Sequence, residues 1–305
     1  MKFNKILSII LTAGLSFAAL SCNSNEPNEP GKTPEEEPGE QQETGVDIPE
    51  KSAFRLAGTL PSEVNVTLDD VALYKYEFKY DDYKRLQSFK LSSGANVLQN
   101  ITVTQNDTTK QTIKGKYSNS QFSVSINVRW ASGSLVWSYN DVDNPNRYVV
   151  NCDASNKPKK FFYNIAYKAP KYENNTTYSE VFTTEGGNVT SSTYKSAMTS
   201  TGISGLKGTS GPEYKMKIAY TSNEDISNIG SFFIGEEFVV WYAKGLPANK
   251  NLISKIEYFC DNTTLARTDE FSYDIDSATK QVKSLTMKQY YNTKVEHTYV
   301  YSFKY

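Results

Sequence analysis

Paired carboxylates are the first residues in this chain whose types and spacing could do chemistry. Acids stand side by side at 69–70, 236–237 and 269–270 (Asp69 with Asp70, Glu236 with Glu237, Asp269 with Glu270). Two carboxyl groups that flank one bond can carry out glycoside hydrolysis. Adjacent residues of a strand point to opposite faces, however, so the two acids of a pair would not converge on one substrate. We therefore expect solvated surface acids and predict no catalytic residues, with a carbohydrate-active hydrolase as the alternative.

Histidine and cysteine offer little to a metal ion. The chain has one histidine, His297, and no closely spaced cysteine or histidine pair, whereas a zinc site needs about four such ligands. His297 lies between Glu296 and Thr298 and is expected to be an ordinary strand residue. The segment 141–144 resembles the start of a calcium loop but lacks the complete ligand pattern, so we interpret it as a turn. We predict no metal site and no cofactor.

Three tryptophans could stack on sugar rings: Trp130, Trp137 and Trp241. A flat aromatic face with a polar edge suits a carbohydrate ligand. The same residue type is more often part of a hydrophobic core. These positions are therefore candidate stacking residues for a glycan, with burial in the core as the competing interpretation.

Cys22 is a candidate site for lipidation. It follows a leader that begins with Lys2 and Lys5, continues as an apolar run from Ile6 to Leu20 and ends in Ser21. Residues 1–21 therefore read as a lipoprotein signal peptide, after which Cys22 would become the lipid-carrying N-terminus. A plain secretory signal is the alternative. A retained transmembrane helix is disfavoured, because the apolar run is shorter than the roughly 20 residues that span a bilayer.

Cys152 and Cys260 are the two thiols that remain. Export would permit a disulfide between them. Buried free cysteines are the equal alternative, and the sequence leaves both open.

Residues 22–52 are predicted to be a disordered acidic tether. Its segment 23–50 contains nine acids, the single base Lys32 and almost no apolar side chains, so it cannot offset the entropy lost on ordering. Without this segment and the leader's two lysines, 30 basic and 25 acidic residues remain. That excess is too small and too scattered to predict nucleic-acid binding.

Residues 53–305 are predicted to form a single antiparallel β domain. The whole chain contains 22 Tyr and 15 Phe, residue types that favour strands. In 73–80 four aromatic residues alternate with Lys75, Glu77 and Lys79, so one face is aromatic and the other is charged. The same period of two recurs in 122–130, 161–167, 214–220 and 299–305.

Short polar turns between these segments favour an antiparallel meander, because parallel connections need a dozen or more residues. We predict an all-β fold of ten to fourteen strands in a barrel-like or half-barrel curved sheet. The segment 231–245 differs, since apolar residues near helical spacing precede Gly245 and Pro247. It is predicted to be one short helix.

Two hairpins form an imperfect repeat, YEFKYDDYKRLQSFKL at 76–91 and FSYDIDSATKQVKSLTM at 271–287. With the segment GLPANKNLISKIEY at 245–258, the leader and the acidic tether, they make the chain resemble a family of uncharacterised cell-envelope lipoproteins from Bacteroides-type bacteria. That family carries a domain of unknown function described as porin-like in fold. The resemblance covers about residues 70–305 and implies a barrel-like sheet and an envelope location. It implies no catalytic residue.

These observations predict a non-enzymatic outer-membrane lipoprotein on the periplasmic or cell-surface face. It would be held to the membrane by its N-terminal lipid and would bind a glycan or an envelope protein partner. A hydrolase is the alternative. The third hypothesis is a membrane-spanning β-barrel, which the aromatic alternation up to Tyr305 resembles. Several strands are shorter than the about 9 to 11 residues that spanning requires and are Tyr-rich rather than aliphatic.

Overall fold

The described structure is an all-β sheet. The computed structural model describes residues 47, 49–52, 54–56, 58–117, 120–131, 134–141, 147–152, 158–169, 172–202, 205–211, 213–227, 229, 249–260 and 263–305. The predicted helix at 231–245 lies outside these residues. A 3₁₀ turn, Pro49–Lys51, precedes the first strand. The fold class predicted from the sequence is confirmed.

Seventeen strands are present in the described residues. They are β1 (Glu63–Leu68), β2 (Val71–Tyr80), β3 (Leu86–Ser93), β4 (Asn96–Asp107), β5 (Lys110–Tyr117), β6 (Ser120–Ala131), β7 (Ser134–Asp141), β8 (Arg147–Cys152), β9 (Pro158–Ala169), β10 (Tyr172–Glu185), β11 (Asn188–Gly202), β12 (Gly205–Ser210), β13 (Tyr214–Glu224), β14 (Asn251–Cys260), β15 (Thr264–Ile275), β16 (Val282–Tyr291) and β17 (Lys294–Lys304). The number exceeds the predicted ten to fourteen. Strands rich in Ser, Thr and Asn, such as β10 and β11, lack the apolar alternation from which strands were predicted.

Strand pairing follows the chain. Each strand from β1 to β10 pairs with the next, β11 pairs with both β12 and β13, and β13 to β17 again pair in succession. β1 also pairs with β17 along the register Val64↔Phe303 and Val66↔Tyr301. Every pair is antiparallel. β1 is therefore paired on both of its edges, with β2 and with β17, and the antiparallel meander that the sequence predicts is confirmed.

The core lies on one face of this sheet, which we call the inner face. On β2 the alternation holds as predicted, with Tyr74, Tyr76 and Phe78 buried and Lys79 exposed. Phe78 pairs with the buried Phe89 of β3, and their ring centroids are 5.3 Å apart. Directly paired residues of antiparallel strands lie on the same face. Buried residues consequently continue across neighbouring strands and form a contiguous core.

The opposite, outer face carries paired charges. Lys75 Nζ lies 2.9 Å from Glu63 Oε2 and 3.6 Å from Glu77 Oε1. Lys90 Nζ lies 3.1 Å from Glu77 Oε2. These four side chains form a ladder of ion pairs over β1, β2 and β3, which fits a face that contacts water.

Residues 54–56 and 58–60 lie at the lower end of the sheet, which we define as the end that carries the loops 81–85 and 276–281. Phe54 is fully buried, and the Leu56 amide donates to the Lys84 carbonyl at 3.0 Å. Gly58 has a φ of 81°, and a Cβ at this position would lie 2.0 Å from the Ile226 carbonyl oxygen. Only glycine allows this approach, so residue 58 fixes how the segment crosses the sheet end.

Both repeated hairpins end in a turn capped by an aspartate at this lower end, although the turn 276–281 is one residue longer than the turn 81–85. Asp81 Oδ1 accepts hydrogen bonds from the amides of Tyr83 and Arg85 at 3.0 and 2.9 Å. Asp276 Oδ1 accepts from the amides of Ala278 and Thr279 at 2.9 and 2.8 Å. In each loop a lysine, Lys84 or Lys280, has a φ of 61°. The capping aspartate of the second hairpin is therefore Asp276, two residues after the Tyr-Asp pair of the repeat.

The last residues of the predicted tether contact the sheet. Arg85, only 6% exposed, binds Asp47 Oδ1 at 2.8 Å and Asp81 Oδ2 at 2.7 Å. Ser52 is buried, and its hydroxyl accepts from the Phe54 amide at 3.2 Å. Asp47 and Ser52, which the sequence assigns to the tether, therefore have contacts within the described structure.

Candidate functional site

Four polar side chains interrupt the apolar inner face on three neighbouring strands. They are Tyr258 on β14, Arg267 and Asp269 on β15, and Gln289 on β16, and we call them the Arg267 cluster. Tyr258 is paired with Arg267, and Asp269 with Gln289. Asp269 is 2% exposed and Gln289 is 3% exposed. Alternation along β15 places this charged pair on the same face as the buried Phe271.

The Asp269 carboxylate holds the cluster together. Its Oδ2 lies 3.0 Å from Arg267 Nη2, and its Oδ1 accepts from Gln289 Nε2 at 3.5 Å. The guanidinium carbon of Arg267 lies 4.0 Å from the centroid of the Tyr258 ring. This is close enough for a cation–π interaction, which is stronger where water is excluded.

Burial is the largest single influence on the pKa of Asp269, Arg267 and Tyr258, although other contacts outweigh it for Arg267. It raises the pKa of Asp269, although the adjacent Arg267 acts in the opposite direction. Burial lowers the pKa of Arg267, but Tyr258 and Asp269 outweigh it and the net pKa is raised. Burial, followed by the charge of Asp269, raises the pKa of Tyr258 well above its ordinary value. The cluster therefore combines a guanidinium, a carboxyl group and a neutral phenol.

A second buried acid lies on β10. Glu180 is 8% exposed, and burial raises its pKa from 4.5 to about 7, while a hydrogen bond with Ser192 acts in the opposite direction. Ser192 is 3% exposed and is paired with the buried Phe182. Among the described residues no second carboxylate contributes to this shift. Glu180 is thus a buried acid whose pKa is raised by the loss of solvent contact.

The strand register places two of the predicted stacking positions together. On β6 and β7, Trp130 pairs with Leu135, and Trp137 pairs with Val128, so positions 130 and 137 are diagonal neighbours on one face. Val124 lies on the same face of β6 as Trp130, because the two positions are an even number of residues apart. Val124 is paired with Ile113 of β5, which is 3% exposed and belongs to the core. Both tryptophan positions therefore belong to the inner face. Trp241 lies outside the described residues.

Successive cross-strand pairs connect the position of Trp137 with that of Glu180. Val150 is paired with Trp137 and with Phe161, and Phe161 is paired with Glu180. The tryptophan positions, Glu180 and the Arg267 cluster consequently share one face of one sheet.

His297 has a more specific contact than the sequence predicts. It lies on β17, where it pairs with Gln289. Its Nδ1 is 3.2 Å from Asp69 Oδ2, and Asp69 Oδ1 accepts from the Thr298 amide at 2.8 Å. The backbone bond from Thr298, and then His297, lower the pKa of Asp69. This pair ties the β1–β2 turn to β17.

The acid pairs do not converge where the structure describes them. Asp269 is buried and Glu270 is exposed, as alternation along a strand requires. Asp69 and Asp70 lie in the β1–β2 turn with φ of 49° and 65°, rather than on a strand. Glu236 and Glu237 lie outside the described residues.

The two thiols end strands that are far apart in the pairing order. Cys152 ends β8 and Cys260 ends β14, with β9, β10, β11 and β13 paired in between. Cys260 is a half-buried free thiol. A bridge between Cys152 and Cys260 stays a prediction. Cys22 lies outside the described residues.

Neither a cluster of metal-ligating side chains nor a membrane-spanning helix is found in the described residues. No group of three or more His, Cys, Asp or Glu side chains there is arranged to hold a metal ion. None of the helical structure in that part of the chain is long and apolar enough to cross a membrane.

Comparison with known proteins gives structural neighbours only. No protein-family model matches this chain, and no curated protein sequence does. A porin-like protein from Bacteroides vulgatus ATCC 8482 is similar at 12% identity and a TM-score of 0.44, covering 81% of this chain and 98% of that one. A porin-like protein from Bacteroides uniformis ATCC 8492 is similar at 13% identity and a TM-score of 0.38, with the same coverages.

Sequence reasoning missed Arg267, Gln289 and Glu180. The sequence does contain a signal for Arg267. Arg267 and Asp269 alternate along β15 in step with Phe271 and Tyr273, so all four lie on one face of the strand. Charged residues in an apolar register indicate a buried ion pair. Gln289 and Glu180 carry no comparable signal, because strands with polar residues at many positions do not reveal which face is buried.

Proposed function

We propose that this chain is a lipid-anchored cell-envelope protein whose β domain binds a carbohydrate on its inner face. The observation that carries the proposal is the placement of Trp130 and Trp137 as diagonal neighbours on the inner face. Because the core also lies on this face, the proposal requires the face to be open to solvent at β6 and β7, since a tryptophan packed into a core cannot stack on a ligand. Diagonal positions on adjacent strands are within reach of long and aromatic side chains, so two tryptophans there can form one platform. Aromatic platforms of this kind contact the apolar faces of sugar rings.

The Arg267 cluster supports the same face as the binding surface. Sugars carry many hydroxyl groups, and a site that binds them needs planar polar side chains beside aromatic ones. Arg267, Asp269 and Gln289 provide such groups next to Tyr258. The inner face therefore combines stacking positions and hydrogen-bonding groups.

Anchoring follows from the leader and from where the fold begins. Cys22 would carry the lipid, and Asp47 is the first described residue held to the sheet, through Arg85. The intervening 23–46 would be a spacer, with a reach of at most about 3.3 to 3.6 Å per residue. Under this proposal the domain stands off the outer membrane, at its periplasmic or cell-surface face.

Binding is favoured over hydrolysis because of how the acids are distributed. A glycoside hydrolase needs two carboxyl groups about 5 to 10 Å apart. Glu180, with its pKa raised to about 7, would suit a general acid. Its pKa is raised by burial rather than by a second carboxylate of the described residues, which favours a role in the fold.

A membrane-spanning arrangement is disfavoured by the outer face. Lys75, Lys90, Glu63 and Glu77 form ion pairs there. A lysine or arginine that faces lipid at the middle of a bilayer costs about 2 to 4 kcal/mol. The outer face of β1 to β3 therefore fits water better than lipid.

Anchoring and binding have separate tests. Cys22→Ser should move the protein out of the membrane fraction, because only a thiol accepts the lipid; a variant that remains membrane-bound after a high-salt wash would contradict anchoring.

For binding, the full chain purified in detergent is applied to a glycan array. We expect at least one glycan to bind without release of reducing ends.

The matched variants decide whether the tryptophans carry that binding. Trp137→Ala should weaken it, Trp130→Ala should do the same, and Trp137→Tyr should retain most of it because an aromatic face remains. Salt should matter little, since stacking is not ionic. A blank array, or equal binding by Trp137→Ala and wild type, refutes carbohydrate binding at this face. Release of reducing ends would support the hydrolase instead.

A further inference from the structure

Two polar atoms of the Arg267 cluster have no hydrogen-bond partner among the described residues. They are Arg267 Nε and Gln289 Oε1, and both are shielded from solvent. The side chain of Arg267 is 12% exposed, and Gln289 is 3% exposed. One atom is a donor and the other an acceptor.

Both side chains are fixed by the same carboxylate. Arg267 uses Nη2 and Gln289 uses Nε2 to bind Asp269. Turning the Gln289 amide over would direct Oε1 at the carboxylate, where two acceptors repel each other. The contacts to Asp269 therefore determine which atoms of the two side chains remain available.

Leaving such atoms unpaired is unfavourable. A buried polar group without a partner costs about 1 to 3 kcal/mol, and most buried polar atoms in native proteins have one. Replacing the bonds to Asp269 by new ones would leave the carboxylate unpaired, which is worse. Because no group in the described part of the chain supplies these bonds, a hydroxyl group from water or from a ligand would resolve the conflict.

We propose that the Arg267 cluster binds one hydroxyl oxygen, which accepts a hydrogen bond from Arg267 Nε–H and donates one to Gln289 Oε1. A hydroxyl group can do both at once. Water and a sugar alcohol share this chemistry. The sugar as the source of the hydroxyl rests on the proposed carbohydrate binding, whereas the site itself does not.

Crystal structures of the full chain, grown with and without a neutral monosaccharide such as galactose, test this site. We expect density for an oxygen within hydrogen-bond distance of both Arg267 Nε and Gln289 Oε1. A single isolated peak in both crystals identifies water as the source, and ring-shaped density in the soaked crystal identifies the sugar. Density at neither atom, or the two atoms bonded to other protein groups, overturns the proposal.

Gln289→Met provides a check with a matched control. The variant keeps the side-chain length but removes the acceptor, so the bridging density should disappear, and any rise in Tm that galactose causes in the wild type should disappear with it.

Gln105→Met is the control. The Oε1 of Gln105 is also unpartnered in the described residues, and its Nε2 donates to the Leu86 carbonyl at 3.2 Å on a different part of the sheet. Bridging density that persists in Gln289→Met contradicts the site. A blank glycan array together with bridging density would refute the proposed function and leave the hydroxyl site in place.

Discussion

Arg85, the last residue of the loop 81–85, binds Asp47, which lies 38 residues earlier in the chain. The Nη1 of Arg85 is 2.8 Å from Asp47 Oδ1. The guanidinium is buried against the sheet, with its side chain 7% exposed, whereas the Asp47 side chain is 30% exposed. Asp81 binds the Nε of the same group at 2.7 Å. Two carboxylates therefore compensate one buried cation, and removing either leaves it partly unpaired.

The Asp47–Arg85 contact predicts where the folding unit begins. Asp47→Ala should lower the free energy of unfolding by about 1 to 2 kcal/mol. Glu50→Ala is the control, because Glu50 is exposed and only its carbonyl contacts Arg55; it should change stability by about 0.5 kcal/mol or less. Urea unfolding of the full chain measures both. Equal stabilities of the two variants would show that the fold does not need residue 47.

Glu180 predicts a pH-dependent stability. Its pKa in the folded protein, about 7, is above the ordinary value of 4.5, so the folded state binds the proton more tightly than the unfolded state. Its favourable contribution is complete below pH 4.5 and is lost as the pH rises through 7. Glu180→Gln should therefore match the wild type near pH 4.5 and exceed it by about 2 to 3 kcal/mol at pH 8.

Urea unfolding at several pH values checks this result. Glu185→Gln, at an exposed position on the same strand, is the control for effects of the amide substitution. A Glu180→Gln variant with no advantage at pH 8 would show that Glu180 is solvated in the native protein.

The Arg267–Asp269 pair predicts a non-additive mutant cycle. Arg267→Met leaves Asp269 buried without its cation and should destabilise the protein by about 3 to 5 kcal/mol. The double variant with Asp269→Leu removes both charges and should be more stable than the single variant, because apolar side chains suit this face. Chemical unfolding of the four proteins gives the coupling energy. A double variant less stable than Arg267→Met would contradict a buried, mutually compensating pair.

The two faces of β2 predict opposite tolerance to charge. Phe78 is 5% exposed and packs against Phe89, so Phe78→Lys should cost about 3 kcal/mol or more by burying an unpaired amine. Lys79 is exposed on the outer face, and Lys79→Phe should change stability by about 0.5 kcal/mol or less. Thermal melts measure the stability of both variants. A similar loss of stability in the two would show that both faces of β2 are buried.

The sequence by itself determined the fold class and the inward face of the strongly patterned strands. A period of two with aromatic residues on one side is a local property, so Tyr74, Tyr76 and Phe78 are buried where the pattern predicts. Short turns likewise determined the antiparallel order of neighbours. The capping aspartates of the two hairpins, Asp81 and Asp276, act through contacts within a few residues of themselves.

Only the tertiary structure decided which distant residues meet. Three contacts join positions separated by 38 to more than 200 residues: Asp47 with Arg85, Asp69 with His297, and β1 with β17. Local sequence patterns carry no information on such contacts. The same holds for the Arg267 cluster. Its sequence shows two charges in an apolar register, but the partners on β14 and β16, and the two polar atoms left over, depend on strand register and on the geometry around Asp269.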